Sequence, residues 1–516
     1  MALTELKQLV HSGILIPDAY APRGFTIKFR GQPLKLNPLQ EEMAVRFVQK
    51  FGTPYFEDKT FRSNFMEGFA KVLGLKEKIT VEDFDWSSIV QWVEAERARK
   101  MNMSKEEKKE LAAVRKKIRE ERKAKYGWAT VNGVKMEIAN YAVEPPGIFM
   151  GRGAHPDRGR WKPAITTKDV TLNLSPDAPT PPGEWATREW RPSELWIARW
   201  TDKLNGKVKY IWFHDATPMK QGRVQEKFDL AKQVELRLDK VRAHIAGGLT
   251  AEDLKRRKAA TVAYLIDVFN IRVGDEKETE SGTVGATSLR RIHIRLHQGQ
   301  PKVKLHFLGK DSILFERELE VSPDAFRNLK EFASESDRLF SGITTDAVRG
   351  FLSEAMPGFS PKVFRTFSAT RLFGQQLEAS KVTTENPDVE KKMALMEANG
   401  AVAQLLNHQK AIPKNWEETY KKRLEMLRSL RGKEGKSVEK RKQSLKLRLE
   451  QMKLSKKWNL GTSLKNYIDP RVTVKFCQKV DYDWKAYYPK TLVTKFAWAD
   501  PTLGHEVVKV EATTRR

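Results

Sequence analysis

Apolar positions alternate with polar ones in KVKLHFLGKDSILFERELEV, where Val303, Leu305 and Phe307 lead into a Gly309-Lys310-Asp311-Ser312 turn. Period two on both sides of a Gly-containing turn predicts a hairpin with Lys310 at its tip. Other stretches repeat at helical spacing. TVAYLIDVFNIR is an apolar helix ended by Arg272, with Val273-Gly274 as its stop. SPKVFRTFSATRLF is a helix opened by Ser360 and Pro361 that carries Arg365, and VAQLLNHQKAIP is an apolar helix stopped before Pro413 with His408 near its end. In GTSLKNYIDPR, Asp469 followed by Pro470 starts a helix, so Tyr467 is held in the short segment before it.

Around these segments the chain changes character several times. About the first 90 residues mix short apolar stretches with Pro and Gly turns and then helical pieces, a small mixed lobe. A long basic helix follows from Trp92 to about Tyr126, restarting at the capping box formed by Ser104 and Glu107. Its dense charge reads first as a solvated face and second as a phosphate-binding one. Turns and tryptophan-rich strands between about 144 and 218 predict a second mixed lobe. Helices dominate from Lys220 to about 272, strands and the hairpin continue to about 321, and helices return to His408. Residues 414 to 457 hold 16 Lys plus Arg against 6 Asp plus Glu. There Trp416, Tyr420, Leu424, Leu427 and Leu430, and beyond the break at 431–435 Val438, Leu445, Leu449 and Met452, predict an antiparallel helical hairpin with one narrow apolar seam and no large buried cluster. No internal repeat or low-complexity tail is visible.

A length of 516 residues suggests roughly three or four structural units. The 94 Lys plus Arg against 66 Asp plus Glu leave a net charge of +28, which calls for a polyanionic partner. Nucleic acid is favoured over a membrane surface because neither a lipid anchor nor a basic amphipathic terminus is visible. Cys477 is the single cysteine, so no intramolecular disulfide can form, and a reducing intracellular compartment is expected. The opening residues lack a signal-peptide pattern and no run approaches a membrane span, so a soluble protein that is not exported is expected. His293 and His297 sit on an alternating strand pattern, and no metal site is supported.

A phosphodiester is cut without metal when a nucleophile attacks in line, cations stabilise the non-bridging oxygens and an acid protonates the departing oxygen. Tyr467, Arg272, Lys310, Arg365 and His408 supply the residue types. Each alone has an ordinary reading: a half-buried surface tyrosine, a last-turn arginine, a solvated hairpin lysine. Their order and wording decide otherwise. EPPGIFMGRGAHP, IRVGDEKE with TVGATSLR, FLGKDSI, KVFRTF, NHQKA, LGTSLKNYIDPR and KFAWA, spread from about residue 14 to residue 498, resemble the eukaryotic-type DNA topoisomerase I family, type IB.

The resemblance implies that Tyr467 forms a 3′-phosphotyrosine bond, that Arg272, Arg365 and His408 bind the phosphoryl oxygens, and that Lys310 is the general acid. The implied reaction relaxes positive and negative supercoils by nicking, strand rotation and religation. It needs no ATP and no metal, Mg²⁺ being at most stimulatory. The implied partner is duplex DNA, especially supercoiled, bound by a monomer. Family DNA- and drug-contacting positions fall on Arg152, Asp311, Asn466 and Lys362, so camptothecin-class compounds are candidate inhibitors, although a neighbouring family arginine is Met150 here.

The implied fold class is α+β multidomain, a bi-lobed DNA clamp. Residues 1–218 form a DNA-binding cap with about 26–100 as a subdomain, 219–410 a mainly helical, tyrosine-recombinase-like catalytic core, 411–457 the helical-hairpin linker and 458–516 the C-terminal domain with the tyrosine. Compared with nuclear members, the chain shows no long charged amino-terminal extension, and its linker of about 44 residues is shorter. Both features suggest a compact archaeal relative at the cytoplasmic nucleoid, the nucleus being the alternative. A tyrosine recombinase or integrase is the competing enzyme. Those enzymes generally place His three residues before the second arginine, where Lys362 stands here, and rarely carry so large a cap. A non-catalytic basic DNA-binding protein would explain the charge but not the five-residue set.

Overall fold

In the computed structural model, which describes residues 6–151, 153–274 and 283–503, turns cut the first part of the chain into short strands and capped helices. β1 (Leu9–His11), β2 (Thr26–Phe29), β3 (Gln32–Lys35), α1 (Pro38–Val48), α2 (Pro54–Glu57), α3 (Lys59–Leu73) and β4 (Phe84–Asp85) come first. Arg30 and Gly31, both at positive φ, turn β2 back onto β3, and β2 pairs on its other side with β4. An aromatic cluster fills the space beneath, with Phe47 stacked on Phe65 at 4.0 Å beside Phe61, Phe69 and Trp86. α4 (Ser87–Asn102) and α5 (Lys105–Tyr126) form the long basic segment. The restart occurs at Ser104: its hydroxyl accepts from the Glu107 amide while the Glu107 carboxylate accepts from the Ser104 amide. No residue of α5 is buried.

β5 (Trp128–Val131) and β6 (Val134–Glu137) join β1 in a three-stranded sheet, and β7 (Gly147–Ile148) pairs with β8 (Trp161–Lys162). β9 (Val170–Asn173), β10 (Thr187–Glu189), β11 (Trp196–Thr201) and β12 (Val208–Trp212) form a sheet in the order β10-β9-β11-β12, antiparallel except between β9 and β10. Leu9, Val131, Leu172, Ile197 and Phe213 belong to one apolar core, distinct from the aromatic cluster.

The chain divides between Gly222 and Arg223 into two compact units. α6 (Pro218–Leu249) leads to α7 (Leu254–Phe269), then β13 (Ile294–Leu296), β14 (Lys302–Gly309) and β15 (Ile313–Glu320). α8 (Pro323–Glu335), α9 (Thr345–Ala355), α10 (Pro361–Ala379) and α11 (Asp388–Leu405) follow. After them come α12 (Trp416–Arg428), α13 (Lys436–Leu454), α14 (Leu460–Asn466), α15 (Pro470–Lys479), α16 (Trp484–Tyr487) and α17 (Lys490–Lys495). With 17 α-helices and five small sheets among the described residues, this is a mixed α/β chain. The second unit has two apolar cores, and α10 serves both. Its Val363, Phe364 and Phe367 enter one, and Ala369, Phe373 and Leu377 the other, so the residues between lie where the cores meet.

Three local expectations change. The apolar helix does not run to Arg272: α7 stops at Phe269, because Asn270 takes a left-handed backbone (φ 54°) that asparagine tolerates, and Arg272 lies beyond the cap. His408 likewise lies three residues beyond α11, after Asn407 at φ 53°. The hairpin of α12 and α13 is present, but its apolar contacts are not confined to one narrow seam. Leu430, Leu445 and Leu449 are buried, α13 packs on α11 as well as on α12, and Leu447 and Leu454 join the second core.

Candidate active site

The predicted β14–β15 hairpin forms as read, with Val303, Leu305 and Phe307 buried and Lys310 exposed in a short 3-10 turn at its tip. α10 starts at Ser360 and Pro361 and carries Arg365 into the interior, where it is 4% exposed. Its guanidinium makes three hydrogen bonds: Nε donates to the Asn270 carbonyl (3.0 Å), Nη2 to the Leu406 carbonyl (3.2 Å) and Nη1 to the Tyr467 hydroxyl (2.8 Å). One arginine thus joins the segment after α7, the segment after α11 and the tyrosine. Tyr467 itself is buried, contrary to the half-exposed reading, and caps the C-terminus of α14. Thr370 on α10 pins the adjoining backbone, donating to the Tyr467 carbonyl and accepting from the Asp469 amide, both at 3.1 Å. Asp469 caps α15 and Pro470 opens it, as the sequence predicts.

The His408 ring lies tilted beside that of Tyr467, ring centroids 5.2 Å apart. Its Nδ1 lies 2.9 Å from Ser463 Oγ, while its buried Nε2 has no hydrogen-bond partner among the described residues. Arg272, Lys310, Arg365, His408, Asn459 and Thr462 line one pocket. Tyr467 is not among the lining residues but is hydrogen-bonded to Arg365, which is. Burial pushes the His408 imidazole down to about 3, helped by the nearby Arg365 and Arg272, so the ring is neutral and its free nitrogen can carry a proton to donate. Burial also lowers Arg365 to about 10, with Arg272 acting in the same direction. For Tyr467, burial would raise the phenol, but Arg365, Arg272, Lys362 and Lys310 outweigh it and hold it below its ordinary value. A phenol held below its ordinary value beside Arg365 and Arg272 is chemically suited to attack on an anionic ester. Among the described residues no group of three or more His, Cys, Asp or Glu could hold a metal ion, and no helix is long and apolar enough to cross a membrane.

Comparison with known proteins gives consecutive matches. Residues 4–213 match the eukaryotic DNA topoisomerase I DNA-binding fragment, 216–443 its catalytic core, and 439–504 the C-terminal topoisomerase domain. DNA topoisomerase 1 of Homo sapiens is 33% identical over 543 residues, covering 96% of this chain and 70% of the human protein. The chain belongs to the eukaryotic DNA topoisomerase I family. Other family members include DNA topoisomerase 1 alpha of Arabidopsis thaliana (33% identical, 95% of this chain) and DNA topoisomerase 1 of Drosophila melanogaster (32%, 95%). The chain spans 58% and 54% of the lengths of these two topoisomerases.

The remaining positions suggested by resemblance to topoisomerase I are not all gathered at the pocket. Arg152 lies outside the described residues, and for Asp311 only the backbone, in the hairpin turn, is described. Lys362 is exposed in the first turn of α10. Asn466 ends α14, its carbonyl accepting from Lys227 Nζ at 2.8 Å. Sequence reasoning missed Ser463 and Thr370. Ser463 had a signal, lying in α14 four residues before Tyr467, about one helical turn from the tyrosine that caps that helix.

Proposed function

We propose that the protein is a type IB DNA topoisomerase that relaxes supercoils of both signs through a transient 3′-phosphotyrosine at Tyr467. The observation that carries the reading is the hydrogen bond from buried Arg365 to the Tyr467 hydroxyl, with Arg365 and His408, whose Nε2 is free among the described residues, lining one pocket with Arg272 and Lys310. Family membership supports it. In the forward step the Tyr467 phenol gives up its proton to solvent water as its oxygen bonds to phosphorus, and the bond from phosphorus to the 5′ oxygen breaks. Arg272, Arg365 and His408 Nε2–H bind the non-bridging oxygens, and the Lys310 ammonium gives a proton to the departing 5′ oxygen. Religation is the reverse. The phosphotyrosine ester conserves the energy of the cut bond, so ATP has no role, and the cations supply the charge that a metal would otherwise provide, with Mg²⁺ at most stimulatory.

In this reading residues up to about 218 form the cap of a DNA clamp, 219–410 the catalytic core, 411–457 the linker and 458–516 the tyrosine-bearing domain. The clamp acts as a monomer on duplex DNA, and supercoiled duplex is its preferred substrate. The DNA-binding and catalytic family matches support duplex DNA as the partner. Arg152, Asp311, Asn466 and Lys362 remain the proposed DNA- and drug-facing positions, with camptothecin-class compounds as the probe. The protein acts where chromosomal DNA is held. Of the two settings considered, archaeal nucleoid and nucleus, the relatives named above are all eukaryotic. The test is relaxation of positively and negatively supercoiled plasmid in EDTA without ATP. Both substrates should relax, and a strict requirement for Mg²⁺ or ATP would defeat the mechanism.

A further inference from the structure

Arg365 is not the only arginine that ties the catalytic segments together. Arg317 on β15 reaches the same two chain segments one step earlier. Its Nη1 donates to the carbonyl of Phe269, the last residue of α7, at 2.8 Å. Its Nη2 donates to the carbonyls of Gln404 and Leu405 at the end of α11, at 3.2 and 3.0 Å. Arg365 takes the next carbonyls along, those of Asn270 and Leu406. The last carbonyls of a helix have no partner within the helix and carry its negative end, so a cation placed there satisfies both the hydrogen bonds and the field. Among the described residues no carboxylate pairs with Arg317, and burial pushes its guanidinium below the ordinary arginine value. Two helix ends do the work of a counter-ion. The same strand is laced to the His408 loop from the other side, because the Leu314 carbonyl accepts from Asn407 Nδ2 at 2.9 Å and Gln409 Nε2 at 3.3 Å.

We propose that Arg317 is a positioning residue for the phosphoryl-transfer site, a fork that holds the Arg272 and His408 segments in register with the hairpin bearing Lys310. This rests on the functional reading above. Arg317 touches none of the reacting groups. It fixes three of the segments that carry them, which a lysine cannot reproduce, since a single ammonium presents its donors from one point and not from a rigid planar fork.

The test compares Arg317→Met and Arg317→Lys with the wild-type chain in single-turnover cleavage of a suicide oligonucleotide, alongside duplex affinity and thermal midpoint. Displacing reacting groups by about 1 Å costs on the order of a hundredfold in rate, so Arg317→Met should cleave about a hundredfold more slowly while binding duplex within about threefold of wild type. Because the Lys310 hairpin is displaced too, a 5′-bridging phosphorothiolate, whose thiolate leaves without a proton, should recover about tenfold of that loss. A merely structural role would lower the thermal midpoint without changing the oxygen-to-sulfur ratio, and that result overturns the proposal. If Arg317→Met does not fold, Arg317→Lys decides: slowed cleavage with sulfur recovery supports the fork, and wild-type cleavage overturns it. Absence of a 3′ covalent adduct with the wild-type chain would instead defeat the functional reading, and the proposal with it.

Discussion

At the scale of single residues, the buried position of Tyr467 makes the sharpest prediction. Tyr467→Phe removes one hydroxyl and no positive charge, so covalent adduct should vanish while duplex affinity stays within about threefold; an adduct formed by the Phe variant would identify another nucleophile. Lys310 is exposed and donates a proton in the proposed step, so Lys310→Ala should slow cleavage by about 10² to 10⁴, with recovery on the 5′-phosphorothiolate. His408 gives a pH test. Its folded pKa of about 3 lies below the ordinary imidazole value, so the unfolded chain binds the extra proton first. Its contribution to stability is therefore complete above about pH 6.5 and is lost as pH falls toward 3. Thermal midpoints from pH 7 to 4 should fall less steeply for His408→Gln than for wild type, and equal slopes would mean that the ring is not held neutral. Ser463 orients that ring, and losing one such hydrogen bond, worth about 1 kcal/mol, should slow Ser463→Ala cleavage about five- to tenfold.

At the scale of elements, what was legible followed how local the cause was. The hairpin with Lys310 at its tip, the restart at Ser104 and the opening of α10 and α15 each depend on a few neighbouring residues, and each forms as read. Arg272 reads as the last turn of α7, but Asn270, an acceptable left-handed residue, ends the helix first. Arg317 had no local signal at all, since its partners lie 48, 87 and 88 residues away. In the linker, likewise, the local spacing shows α12 against α13 but carries no sign of α13 against α11. Trp416 Nε1 donates to the Met452 carbonyl and Leu454 packs close to Gly400 of α11, so the base of the hairpin belongs to the core. Replacing only the distal residues 424–441 with a short flexible link should leave single-turnover cleavage within about threefold, whereas removing 414–457 should slow it by more than about tenfold and lower the thermal midpoint, since large buried side chains lose their cover. Equal cleavage by both forms would mean that α13 does not support the site.

At the scale of the whole molecule, charge and chemistry are separated. The excess of 28 positive charges is spread over residues such as those of α5, none of which is buried, while Arg365, His408 and Tyr467 are each no more than 5% exposed. Salt screens the first group strongly, because exposed charges interact through water with a Debye length of about 10 Å at 0.1 M, and the second group weakly. Duplex binding and bond cleavage should therefore respond differently to the same salt series. If six to ten phosphates are neutralised, affinity for a duplex should fall by about 10³ to 10⁵ between 50 and 200 mM salt. Cleavage of a saturating suicide substrate should change by less than about threefold over that range, because the hydrogen bond from Arg365 to Tyr467 is made inside the protein, where the buried His408 Nε2 also lies. Plasmid relaxation, which needs many successive rotations during one encounter, should pass from processive to distributive as salt rises. The measurement is a pair of slopes on one logarithmic salt axis, one for affinity and one for the single-turnover rate. A rate that fell in step with affinity, with the substrate still saturating, would mean that the surface field and not the buried cluster sets the barrier to bond breaking.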